Sequence, residues 1–142
     1  MANTIEAKGN CLCGAVSVTA AEMSQDVGAC HCNMCRKWAG GPFLAVDCGT
    51  KVTFDGEQDI AVFPSSEWAE RGFCSKCGAH LYYRLRQSGQ YIMSAGLFDQ
   101  EAKLNLDHQV FIEEKPAYYQ FANKTKDMTG AEVFALFASD AD

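Results

Sequence analysis

Cys11-Leu12-Cys13-Gly14 and Cys74-Ser75-Lys76-Cys77-Gly78 are the stretches that decide how this chain is held together. The second is a C-x-x-C followed by glycine. This is the zinc knuckle, in which the backbone folds tightly enough for two sulfurs to face one ion, and Gly78 permits the positive φ that such a turn often needs. The first, a C-x-C, is tighter. In an extended strand residues i and i+2 point to the same face, so Cys11 and Cys13 can grip one ion from a strand end. Four thiolates close a tetrahedral zinc site. These four, far apart in sequence, would tie the N-terminal region to the middle of the chain, and they are expected to form a structural zinc site.

Between them lies a third cluster, Cys30-His31-Cys32-Asn33-Met34-Cys35. Seven of the eight cysteines therefore fall into tight groups that divide as four plus three. Cys30, Cys32 and Cys35 have no nearby fourth cysteine. Zinc held by three protein ligands keeps an open position, and an open position is where zinc does chemistry. Water, a substrate or a distant side chain would fill it. Bound Zn²⁺ lowers the pKa of coordinated water to about 7, and the same ion would ionise a thiol and polarise a carbonyl. Two other readings of this cluster stay open. Cys48 could complete a second structural site, although burial as a small hydrophobe is the commoner fate of a lone cysteine. Cys32-x-x-Cys35 could be a redox pair, although the βαβ context of thioredoxin-like motifs is missing.

Composition narrows the function classes. The 142 residues make room for one domain with its own core, so 1–142 is read as a single domain. Apolar content of 48% is ordinary for a globular chain. No apolar run approaches the length of a membrane span. Met1-Ala-Asn-Thr-Ile-Glu6 has neither the basic nor the apolar region of a signal peptide. A cytoplasmic location is expected, where thiols stay reduced and cysteine pairs usually bind metal. A net charge of −6 and a pI near 5.0 argue against a nucleic-acid partner, which needs clustered Lys and Arg.

The patterning is that of a mainly β chain. Strands are expected at Ala15–Thr19, Pro42–Val46, Lys51–Phe54, Ile60–Phe63, His80–Leu85, Gln90–Ser94 and Gln109–Ile112, separated by short glycine-containing turns. Helix is scarce. One short helix is expected over 34–39, with Asn33 as N-cap and Gly40-Gly41 as its stop, and a second over Thr129–Phe137.

Several other side chains bear on the site. His31 lies between two proposed ligands, so on a strand it would point away from the metal into a packing or supporting role. His80 follows Cys77-Gly78-Ala79 and reads as a neighbour of the knuckle, and His108 as a strand-end residue. Arg36 and Lys37 either anchor the carboxylate of a small acidic thiol or form a solvated helix face. Trp38 and Phe43 read as core aromatics, with a pocket wall as the alternative. Tyr82-Tyr83 and Tyr118-Tyr119 read as packing pairs.

Gly9-Asn-Cys-Leu-Cys-Gly-Ala-Val16, Ala29-Cys-His-Cys-Asn-Met-Cys-Arg-Lys37 and Arg71-Gly-Phe-Cys-Ser-Lys-Cys-Gly-Ala-His-Leu81 together resemble the glutathione-dependent formaldehyde-activating enzyme family, which includes the centromere protein V domain. The likeness runs from about residue 9 to Tyr118, with later echoes in Ala95-Gly-Leu-Phe-Asp99 and His108-Gln-Val-Phe-Ile112. It leaves 119–142 as a C-terminal extension, and the chain looks like the compact branch of the family. The resemblance implies an Mss4-like fold of small twisted antiparallel sheets around zinc. It implies a structural zinc on Cys11, Cys13, Cys74 and Cys77 and a catalytic zinc on Cys30, Cys32 and Cys35, the division that spacing suggests independently. The name-giving members are carbon–sulfur lyases that interconvert S-hydroxymethylglutathione with glutathione and formaldehyde.

The expected activity is therefore that of a zinc-dependent carbon–sulfur lyase. Its partners would be a small-molecule thiol such as glutathione and an aldehyde. Two zinc ions per chain are expected, with the middle site partly empty because an open three-thiolate site releases metal more easily. The rival from another class is a non-catalytic zinc-stabilised binding module with two structural sites.

Overall fold

Short alternating runs become strands where one face can be buried. The computed structural model describes residues 3–99 and 103–140, and residues 137–140 by backbone alone. Over these residues the strands are β1 (Thr4–Asn10), β2 (Ser17–Ser24), β3 (Asp26–Cys30), β4 (Phe43–Asp47), β5 (Val52–Asp55), β6 (Ile60–Phe63), β7 (Ala69–Cys74), β8 (His80–Leu85), β9 (Tyr91–Ser94), β10 (Asn105–Val110) and β11 (Lys126–Met128). The α-helices are α1 (Asn33–Ala39) and α2 (Gly130–Asp140). The fold is mainly β with little helix, as the patterning predicts. No helix among the described residues is long and apolar enough to cross a membrane.

The strands form a three-stranded sheet, β1-β2-β5, and an eight-stranded sheet, β11-β10-β3-β4-β9-β8-β7-β6. Period-2 alternation divides the large sheet's side chains between two cores. Val46, Tyr82 and Met93 point to one face, where they meet Ala7, Val18, Ala20 and Met23 of the small sheet. Their neighbours Ala45, Tyr83 and Ile92 point to the other face, where Cys35 and Trp38 of α1 cover them. The large sheet is thus packed between the small sheet and α1. One cysteine group contributes to each core: Cys11 and Cys74 to the larger, Cys30, Cys32 and Cys35 to the smaller.

Most pairings are antiparallel, but β10 runs parallel to both β3 and β11. Parallel neighbours need long crossover connections, and the Phe111–Thr125 segment supplies one between β10 and β11. Three expectations shift at their edges. Ala15 and Val16 belong to the knuckle turn rather than β2, with the Cys11 amide donating to the Val16 carbonyl at 2.9 Å. The run Gln109–Ile112 ends as a strand at Val110, because Phe111 takes a left-handed conformation at φ 54°. The N-cap of α1 is Cys32 rather than Asn33: its sulfur accepts the Cys35 amide, satisfying a donor that a helix start leaves free.

Candidate metal centres and active site

The four-sulfur group forms where the two sheets meet. Cys11 and Cys13 follow β1 of the small sheet. Cys74 ends β7 and Cys77 sits in the turn before β8, both in the large sheet. All four Sγ atoms lie within 4.8 Å of one another. The Cys11–Cys13 and Cys13–Cys74 sulfur separations are 3.7 and 3.8 Å. Thiolates at about 2.3 Å from a tetrahedral ion stand about 3.8 Å apart, whereas a disulfide would need about 2.05 Å. All four are free cysteines, so the donor set and its spacing suit an ion of zinc's size and preference. The turn is built for anionic sulfur. The Val16 amide donates to Cys11 Sγ at 3.3 Å, and the Ala79 and Cys13 amides bring the Cys77 thiol down to about 6. Gly78 takes φ 78° to turn the chain back.

The three-sulfur group lies on the opposite face of the large sheet. Cys30 closes β3, Cys32 caps α1 and Cys35 sits in its first turn, with all three sulfurs within 4.8 Å of one another. Cys35 is buried; Cys30 and Cys32 are half-buried. Three thiols this close resist ionising together. Hydrogen bonds from the Cys30 and Cys35 thiols hold Cys32 far below its usual range, aided by the Cys35 amide and the charge of Arg71. Cys32 and Cys35, with burial, push Cys30 up. A divalent cation would remove that conflict, so this donor set also suits a thiophilic metal. No histidine, carboxylate or further cysteine joins the three among the described residues. Cys48 is not the missing ligand. It lies in the larger core, fully buried, with its thiol directed at the Val46 carbonyl at 3.8 Å.

The surroundings sort the remaining candidates. His31 is fully buried and points away from the cysteines, its Nδ1 2.8 Å from the Tyr119 hydroxyl and its Nε2 2.7 Å from Gln109 Oε1. Gln109 accepts only through that oxygen, so His31 carries its proton on Nε2, and the Tyr119 hydroxyl donates to Nδ1. Burial holds its pKa down. Gln109 Nε2 donates in turn to Thr125 at 2.8 Å. His31 is therefore a bracket between β10 and the Tyr119 segment. Tyr118 meets Tyr119 edge-on at 5.2 Å, as expected of a packing pair, although it is 74% exposed. His108 lies inside β10 rather than at its end, its Nδ1 3.0 Å from Asp107. Arg36 donates through Nε to the His31 carbonyl at 2.9 Å, while Lys37 is exposed.

Trp38 stacks on His80 at 4.3 Å and meets Phe43 edge-on at 5.2 Å. His80 thus joins the knuckle hairpin to α1, a role wider than the one expected. Burial, followed by the nearby Arg71 charge, holds its pKa down. Spacing did not reveal Arg71. It is buried in β7 and directs two N–H groups at Cys35 Sγ, both at 3.6 Å. The one sequence sign was its place beside Gly72, three positions before Cys74.

Comparison with known proteins agrees with this geometry. Residues 6–114 match the family described as glutathione-dependent formaldehyde-activating enzyme. The chain is 38% identical over 129 residues to an uncharacterised lyase of Schizosaccharomyces pombe (strain 972), a match covering 90% of this chain and 94% of that protein. A crystal structure of a Rhodobacter sphaeroides protein shares the fold, with a TM-score of 0.54 at 22% identity over 65% of this chain and 87% of the other. Since the matched segment holds all seven clustered cysteines, the chain belongs to the glutathione-dependent formaldehyde-activating enzyme family.

Proposed function

We propose that the chain is a zinc-dependent carbon–sulfur lyase acting on a thiol–aldehyde adduct, with S-hydroxymethylglutathione as the type substrate. The observation that carries the reading is the contrast between the two cysteine groups: four converging sulfurs in one, three in the other with no fourth protein donor among the described residues. The family match and the lyase-named relative support it. In this reading Cys11, Cys13, Cys74 and Cys77 would hold a structural zinc, and Cys30, Cys32 and Cys35 a catalytic one. A bound zinc supplies Lewis acidity, lowering the pKa of a thiol and polarising a carbonyl oxygen.

The chain's own residues shape the site around that chemistry. Cys35 is the buried anchor, and the half-buried Cys30 and Cys32 mark the accessible side. Trp38 and Tyr83 wall the anchor with apolar surface. Lys37, exposed on the helix that carries Cys35, is available to a carboxylate of an acidic thiol. Arg36 already spends Nε on the backbone. In the reaction the carbon–sulfur bond of the adduct breaks and its electron pair goes to sulfur. The hydroxyl oxygen becomes the aldehyde carbonyl, and its proton is released to regenerate the thiol. Run in reverse, holding thiol and aldehyde together replaces a bimolecular encounter with a positioned one. A cytoplasmic setting, where thiols stay reduced, belongs to the same reading.

The test is metal stoichiometry measured together with adduct turnover. Wild-type chain is expected to hold two zinc ions, and Cys30→Ser one, with turnover abolished and the fold retained. Adduct turnover that persists in a Cys30→Ser protein holding a single ion would end the proposal.

A further inference from the structure

Arg71 is a cation where a cation is costly. It lies in mid-β7 at 3% exposure, and no carboxylate pairs with it among the described residues. The contrast with its surroundings is sharp: Arg84 and Arg86 both reach Glu70 at 3.8 Å. An unpaired buried guanidinium costs several kcal/mol, a cost that a facing anion would offset. The group it faces is Cys35 Sγ, which both terminal nitrogens reach at 3.6 Å. Its guanidinium carbon lies over two rings, 5.1 Å from the Trp38 centroid and 5.0 Å from that of Tyr83. Tyr83 is fixed in turn, its hydroxyl accepting the Trp68 indole N–H at 3.2 Å. Arginine's rigid two-pronged fork suits this role, where lysine would offer only a point charge. Among the described residues the four-sulfur group has no counterpart: Lys76 in its turn is exposed and reaches Asp59 at 3.7 Å.

We propose that Arg71 is the positioning and charge-balancing residue of the three-cysteine centre. It orients the Cys35 sulfur from behind, and its charge cancels the net negative charge that three thiolates leave on a divalent ion. An incoming anionic thiol then meets a neutral centre rather than a negative one. The inference rests on the lyase reading, in which a substrate thiol approaches that centre.

Cobalt(II)-loaded protein tests this without measuring turnover. Sulfur-to-cobalt charge-transfer and ligand-field bands report a fourth sulfur, with glutathione as the titrant. Wild type is expected to show saturable binding. Arg71→Met is expected to keep one ion at the four-sulfur group and to bind glutathione about tenfold more weakly or worse, as loss of a nearby charge at intermediate dielectric requires. Arg71→Lys keeps the charge and loses the fork, so its affinity should stay within about threefold, with shifted charge-transfer bands. Arg71→Met binding glutathione as wild type does would overturn the inference. So would a tenfold loss in Arg71→Lys, which carries the test alone if Arg71→Met does not fold. No glutathione-dependent change in wild type would overturn the lyase reading itself, a result distinct from either variant outcome.

Discussion

Cys35 and Cys48 are both buried, at 4% and 0% exposure, and both pack beside β4, yet their chemistry differs because their neighbours differ. Cys35 meets two sulfurs and a guanidinium. Cys48 meets apolar side chains and one carbonyl, and burial pushes its thiol up to about 12. The thiolate is the form that reacts, so Cys48 should be inert in the folded protein. Iodoacetamide at pH 8.5 is expected to leave it unmodified in peptide mass spectra until denaturant is added. Cys48→Ala is expected to retain both metal ions and cost about 1–2 kcal/mol of stability from the small cavity. Loss of an ion in that variant would show that Cys48 is a ligand after all. The same contrast explains what could be read in advance. The converging cysteines were legible because knuckles put candidate donors two or three residues apart. Arg71 was not, because its partner lies 36 positions away and only the folded sheet brings them together.

The strands that patterning found carry either a clear apolar alternation, such as β5, or a run of apolar and aromatic residues, such as β8 and β9. Those it missed carry small, charged or glycine residues: Glu6, Lys8 and Gly9 in β1, Gly28 in β3, and Glu70, Arg71 and Gly72 in β7. Each is explained by tertiary contact rather than propensity. A Cβ on Gly28 would enter the His108 ring, and one on Gly72 would enter the Tyr82 ring. The parallel seat of β10 was equally hidden, since pairing partners so distant in sequence leave no local trace. Gly72 matters doubly, because the β7–β8 register shifts between Gly72 and Phe73 and Arg71 stands beside it. Gly72→Ala is expected to lower stability by about 1–3 kcal/mol through overpacking, seen as a lower urea midpoint. It should also weaken metal retention at the three-cysteine group more than at the four-cysteine group. An unchanged midpoint would mean that Tyr82 yields freely. At the other end of the chain, α2 starts with a reciprocal cap, the Thr129 amide donating to Glu132 at 2.9 Å and the Glu132 amide to Thr129 Oγ1 at 3.2 Å. Thr129→Ala is expected to cost about 1 kcal/mol, read as faster amide exchange in the first turn of α2.

The two cysteine groups divide the work of the molecule by the length of chain each closes. Cys13 and Cys74 are 61 positions apart, whereas Cys32 and Cys35 are three apart. Loop-closure entropy makes the long link worth roughly 2.7 kcal/mol more to the folded state than the short one. Geometry adds to this, since the long link joins β1 of the small sheet to the β7–β8 hairpin of the large one, and Cys11 and Cys74 lie in the core between them. The hairpin also delivers Arg71, His80 and Tyr83 to α1, so losing the four-sulfur ion should disturb both faces of the large sheet. Losing the three-sulfur ion should disturb only a local turn. Graded chelation is therefore expected to remove the ions in order. The three-ligand site should empty first, abolishing adduct turnover while far-UV circular dichroism and the melting temperature hardly change. The four-ligand site should empty second, together with cooperative loss of the sheets, because metal-binding free energy there is folding free energy. Metal content and circular dichroism followed in one titration decide the matter. Sheets lost with the first ion, or kept after the second, would show that the long link is not what holds the two sheets together.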